Sequence, residues 1–171
     1  MNAYARMIRG LKTPAVMSKL TRLYGRQDGM LVAQTARYTQ LLKKHEERFG
    51  ACGEVQLISA PGRVELSGNH TDHHRGLTLA AAVNLDAVAV ASPREDLMVR
   101  LHSEGYPFLE MSLSDVSPVP GEQGHTAALL RGVAARMQAL SYPIGGFDAV
   151  VHSQVPKGSG LSSSAAFEVL A

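Results

Sequence analysis

Apolar positions along the chain change period several times, and each change predicts an element. Leu31, Ala36, Tyr38, Leu41, Leu42, His45 and Phe49 recur at helical spacing and Gly50 follows as a stop signal, which predicts an amphipathic helix over Met30–Phe49. Val55–Ser59 alternates and is β-branched enough for a strand. Leu77–Ser92 carries small apolar residues in alternation, as one long buried strand or two short ones. Leu97–His102 and Pro107–Leu113 pattern as an antiparallel hairpin turning near Glu104-Gly105, and Ser114–Gly124 as a loop. Thr126–Leu140 predicts a second amphipathic helix with Ala128, Leu129, Val133, Met137 and Leu140 on its core face; Gly132 on that face is expected to mark close packing against a sheet. Ala149–His152 is a short apolar strand. Pro156 closes it, because proline offers no N–H to a ladder.

Composition changes the picture mainly by exclusion. A length of 171 residues, 45% hydrophobic and 19% charged, suits one ordinary soluble domain with a real core. A net charge of +2 gives no electrostatic reason to expect nucleic acid as a partner. Cys52 stands alone, which excludes a disulfide framework and a cysteine-based metal site. The longest apolar run, Leu77–Ala91, is broken by Asn84 and Asp86, so no membrane span is expected; without a secretory signal, the cytoplasm is the default compartment. Charge is uneven at one end only: Met1–Gln27 holds Arg6, Arg9, Lys12, Lys19, Arg22 and Arg26 and no acidic residue. Such a start suits either an organellar transit peptide or a pair of solvated helices flanking Pro14, and the second is the reading taken, with residues 1–29 as a basic helical extension.

Two segments carry candidate chemistry. The first, Val150–Ala171, reads strand, Gly/Ser turn, helix. Gly158 and Gly160 let the backbone turn tightly, and Ser162, Ser163 and Ser164 fall where a helix begins. Free N–H groups, a positive helix end and hydroxyls together make a phosphate cradle, although no Gly-Lys-Ser/Thr closes it in the Walker manner; the plainer reading is a serine-capped junction. The second segment, Ala60–Gly76, packs Arg63, Glu65, Asn69, His70, Asp72, His73, His74 and Arg75 between two apolar strands. Polar groups that dense beside a core line a ligand or form a surface loop, since burying them unpaired is costly. The spacing of its histidines and aspartate matches no closed zinc pattern.

Together the two segments resemble the galactokinase branch of the GHMP small-molecule kinases. Gly62-Arg-Val-Glu-Leu-Ser-Gly-Asn-His-Thr-Asp-His73 is similar to the family's sugar signature, and Val155–Val169 follows its phosphate motif almost letter for letter. Phe49-Gly50 and Phe147-Asp148 also look familial. The resemblance covers about Met30 onward and implies an α+β fold, a mixed sheet with helices on one face of the ribosomal S5 domain 2-like kind. It implies that residues 30–171 are a partial sugar- and ATP-phosphate-binding lobe, incomplete at its carboxyl end. Arg63 would sit between the sugar's reacting hydroxyl and the γ-phosphate, Asn69, His70 and Asp72 would bind sugar hydroxyls, and Lys157, Gly158, Ser159, Gly160, Leu161, Ser162, Ser163 and Ser164 would wrap the phosphates. Ser163 or Ser164 would stand near Mg²⁺. The implied ligands are ATP, Mg²⁺ and galactose or a related hexose, and the implied reaction is phosphorylation of the anomeric hydroxyl.

The departures shape the expectation. Asn69 stands where the family has glutamate, which removes a charge-assisted bond to the sugar and points to a hexose altered or acidic at C6. Glu65, Ser67 and His73-His74 also differ from the pattern. The family's general-base aspartate lies downstream of the serine helix, and the chain ends at Ala171. The chain is accordingly expected to be part of a kinase, inactive alone and prone to self-associate. A non-catalytic sugar sensor and a remnant without ligand are the alternatives.

Overall fold

The computed structural model describes residues 2–68 and 76–171. Ten elements follow in order: α1 (Ala3–Gly10), α2 (Pro14–Tyr24), α3 (Met30–Phe49), β1 (Gln56–Ser67), β2 (Leu79–Pro93), β3 (Met98–Ser103), β4 (Leu109–Ser112), α4 (Thr126–Ala139), β5 (Phe147–Ser153) and α5 (Ser163–Leu170). The strands form one mixed sheet in the order β1-β2-β5-β3-β4. Only β3 and β5 run parallel, because α4 carries the chain across between β4 and β5.

The strand pattern explains why the sheet is covered twice. In β2 the side chains alternate, so Val88 and Val90 join one apolar cluster with Val150, Tyr38, Leu41 and Leu42, while Ala87 and Ala89 join another with Val99, Leu101, Leu130 and Leu170. Helices α1–α3 pack on the valine face and α4–α5 on the alanine face. The α+β class with a mixed sheet holds, but helices lie on both faces rather than one, since these central strands are apolar on both sides.

The basic leader is built into this core. Its six cationic residues face solvent, as its charge predicts, yet Tyr4, Leu11, Leu20 and Tyr24 are buried in the same cluster as α3. Charge divides the chain near Gly29; packing does not.

Two further expectations change. β1 does not end at Ser59 but continues to Ser67, with register shifts at Pro61/Arg63 and Glu65/Ser67. An edge strand tolerates the proline, and the shifts swing its polar end away from a regular ladder. In α4 the buried residues are Leu130 and Ala134, while Met137 and Leu140 are exposed. The buried stripe is offset from the expected one, and Gly132 meets nothing within 4 Å of where a Cβ would stand. Among the described residues no helix is long and apolar enough to cross a membrane.

Candidate phosphate and sugar site

The two chemistry-bearing segments meet where β1 leaves its regular pairing. The Arg63 backbone N–H donates to the Leu161 carbonyl at 3.0 Å, and Arg63 Nη2 donates to Ser162 Oγ at 3.0 Å. Glu65 holds the same nitrogen at 3.1 Å, leaving the arginine half-exposed at the rim. Gly62 makes the approach possible: a Cβ there would lie 3.0 Å from the Leu161 carbonyl oxygen and 3.2 Å from Val155 and Val83 side-chain carbons. The signature glycine is thus a contact requirement between segments about a hundred positions apart.

The serine segment folds as a tight turn into a helix. Gly158 and Gly160 have φ of +68° and +76°, a region that suits glycine. Ser162 takes a left-handed conformation too, φ 58° and ψ 52°, at the N-cap of α5. A non-glycine residue held there stores strain on the order of 1–3 kcal/mol, a cost seen mostly at functional positions. Its hydroxyl bonds Arg63 and does not cap the helix, so the first amides of α5 are left without that partner. Ser159 is used inside the turn, donating to the Pro156 carbonyl at 2.7 Å.

A cleft of about 800 Å³ opens beside this turn, lined by Lys157, Gly158, Ser163 and Ser164 and, across from them, Tyr106 and His125. Two helix starts flank it, α5 at Ser163 and α4 at Thr126, and neither has an acidic residue in its first turn. Among the described residues no acidic side chain lines the cleft. Backbone dipoles, two helix ends and the Lys157 ammonium therefore all favour an anion there. Lys157 lies 4.0 Å from the centre of the Tyr106 ring, so the β3–β4 turn closes against the serine turn.

Of the expected site residues, Arg63 and Lys157 through Ser164 are brought together. Asn69, His70 and Asp72 lie outside the described residues. Among the described residues no cluster of three His, Cys, Asp or Glu side chains is placed to hold a metal. Sequence reasoning missed Tyr106 and His125. His125 precedes a legible helix start, whereas Tyr106 joins the cleft only through the sheet order, which no local pattern reveals.

Residues 43–93 match the galactokinase galactose-binding signature, and residues 128–171 match the GHMP kinases N terminal domain. The chain is 32% identical over 143 residues to the galactokinase of Lactococcus lactis subsp. lactis (strain IL1403), covering 82% of this chain and 36% of that protein. It is 45% identical over 130 residues to the galactokinase of Bos taurus, covering 72% of this chain and 32% of that protein. The crystal structure of Lactococcus lactis galactokinase complexed with galactose superposes with a TM-score of 0.68 at 34% identity, over 75% of this chain and 34% of that one. Methanococcus jannaschii mevalonate kinase, at 21% identity and a TM-score of 0.55 over 69% of this chain and 38% of that one, shares the fold. The chain spans about a third of the length of the curated relatives it matches.

Proposed function

Because the chain belongs to the galactokinase family of the GHMP kinases, we propose that it is the sugar- and ATP-phosphate-binding lobe of a kinase acting on galactose or a related hexose. The observation that carries this reading is the contact of Arg63 with Ser162 across the glycine-packed junction, which sets a cationic fork at the edge of the phosphate cleft. In this reading residues 30–171 form the lobe and residues 1–29 a helical extension joined to it.

The chemistry would run as follows. Amides of the Gly158–Ser164 turn and the Lys157 ammonium would hold the phosphates of ATP, and the hydroxyl of Ser163 or Ser164 would offer a hard oxygen donor to Mg²⁺, which when bound would supply positive charge against the phosphates. Asn69, His70 and Asp72 orient the sugar, and Arg63 bridges its C1 hydroxyl and the γ-phosphate. The C1 oxygen bonds to the γ-phosphorus as the bond from that phosphorus to the β–γ bridging oxygen breaks, releasing ADP. The hydroxyl proton needs a base. Asp86 is ion-paired with Arg37 and Asp148 with Arg94 and Arg100, so neither buried aspartate is free to take it. Asp72 is assigned to the sugar.

The 171-residue chain alone should therefore bind both ligands and transfer phosphate negligibly. Calorimetry with galactose and with MgATP, beside a coupled ADP-release assay, tests this. Binding of neither ligand would remove the reading, and sugar-dependent turnover at ordinary enzymatic rates would remove the predicted inactivity. The same tied-up aspartates favour, as second reading, a sugar sensor that binds without catalysis. Asn69 in place of the family's glutamate favours a sugar with an acidic C6 group, so galacturonate should compete with galactose in the binding assay; exclusive binding of galactose would rule that out. Self-association through the open edge of β1 is part of the proposal and is read by sedimentation.

A further inference from the structure

The buried polar cluster beneath this junction is centred on Arg37 of α3, which lies before the family-matched residues 43–93. Its side chain is 8% exposed and that of its partner Asp86 4%. Arg37 uses its whole fork. Nη1 donates to Asp86 Oδ1 at 2.6 Å and to Gln154 Oε1 at 3.1 Å, Nη2 to the carbonyls of Asp86 at 3.1 Å and His152 at 3.0 Å, and Nε to His152 Nδ1 at 2.9 Å. Gln34, one turn earlier, adds its amide N–H to the same Gln154 oxygen at 3.2 Å.

The position of these acceptors in the sheet matters more than their number. Asp86 pairs with Pro61 on β1, the last regular pair before the register shift that delivers Gly62 and Arg63 to the serine turn. On its other side the Asp86 carbonyl accepts from the Gln154 N–H at 2.9 Å, one residue past β5 and three before Lys157. Both ligand-facing segments therefore depart from regular pairing beside Asp86, one on each side of β2: β1 shifts register there before Arg63, and β5 ends there at Ser153. Tyr24 of α2 and Ser59 of β1 donate to the other carboxylate oxygen of Asp86, Oδ2.

We propose that Arg37 is a positioning residue for both segments, fixing from the amino-terminal helices where the Arg63 strand shifts register and where the chain of the serine turn leaves β5. The assignment of ligands to those segments rests on the function proposed above, while the positioning itself does not. A guanidinium suits the task because its planar donors fix direction as well as distance. An apolar side chain would fill the space and leave both the register shift and the β5 exit unguided.

Arg37→Met strands the Asp86 carboxylate and can fail to fold. Gln154→Leu is the sharper test, since it keeps the Arg37–Asp86 pair and the Arg37 bonds to His152 and removes only the side-chain bonds from Arg37 and Gln34 to the first residue past β5. Hydrogen exchange of this variant should accelerate by up to about tenfold in residues 155–164, the ratio one net hydrogen bond supports, with the β3–β4 hairpin and the melting midpoint nearly unchanged. Its affinity for ATP should fall several-fold. Unchanged exchange in 155–164, or equal acceleration throughout the chain, overturns the proposal. A wild-type chain that binds no ATP removes the kinase reading but leaves the exchange result to decide this one.

Discussion

At the residue scale, Gly62 and Arg63 sit side by side and should respond in opposite ways to substitution. A methyl group at Gly62 meets a backbone carbonyl at 3.0 Å, and the carbonyl can yield only if the serine turn moves. Gly62→Ala is therefore expected to cost about 1–3 kcal/mol of stability, the usual range for overpacking, and, on the proposed function, to weaken ATP binding as well. The Arg63 side chain is half-exposed and held by one hydroxyl and one carboxylate. Arg63→Met should shift stability by less than about 0.5 kcal/mol, as surface changes do, while lowering the affinity for MgATP and galactose that the proposed function assigns. Thermal melts and calorimetry on the two variants separate the effects. Similar losses of stability in both would deny Gly62 its packing role.

At the scale of elements, α4 shows how far a periodic pattern reaches. Thr126–Leu140 was legible as a helix from its spacing, and Met30–Phe49 was legible to the residue because Gly50 stops it. Which stripe of α4 is buried was not legible, since alanines and leucines surround that helix and several stripes are nearly equally apolar; tertiary contact with Leu113 and Leu170 selects Leu130 and Ala134. Gly132 was assigned a packing role on the same weak ground. It is an exposed glycine in a helix interior with open space around it, so Gly132→Ala should stabilise the protein by up to about 1 kcal/mol, read as a higher urea midpoint. A loss of stability would mean that α4 packs closer than this. The serine motif was legible because it is a local turn with fixed residue demands; of the other motif, Gly62–Ser67 lies in strand β1, and Asn69, His70 and Asp72 lie outside the described residues. Arg37 and Gln34 were not: at their spacing they look like the solvated face of α3, and only the strand order puts Asp86 and Gln154 beneath them.

Across the whole molecule, histidine burial sets the response to acid. Burial lowers the pKa of His45, opposed by its bond to the Asp148 carbonyl; with Nε2 donating to that carbonyl at 2.9 Å, Nδ1 accepts from the Tyr4 hydroxyl at 2.8 Å. Protonation of Nδ1 would break the contact between α1 and α3. Burial also lowers His152, helped by the adjacent Arg37 guanidinium, and lowers His102, helped by Arg48 and Lys44. Each imidazole is thus harder to protonate in the folded chain than in the unfolded one. The unfolded state then binds more protons as pH falls below the ordinary histidine value of about 6.5, and stability falls with it. Asp148 acts later. Burial raises its pKa, but Arg100 and Arg94 outweigh burial and hold it below the usual carboxylate range, so its contribution is lost only in stronger acid. Urea unfolding between pH 8 and 5 should show a plateau above about 7 and a decline beginning near 6.5, steepened by three histidines rather than one. Tyr4→Phe should flatten part of that decline, because it removes the donor that favours neutral His45. A stability profile level down to pH 5 would mean that these imidazoles are protonated as easily inside the fold as outside it, and that the helices above the valine face are not held by the Tyr4–His45 contact.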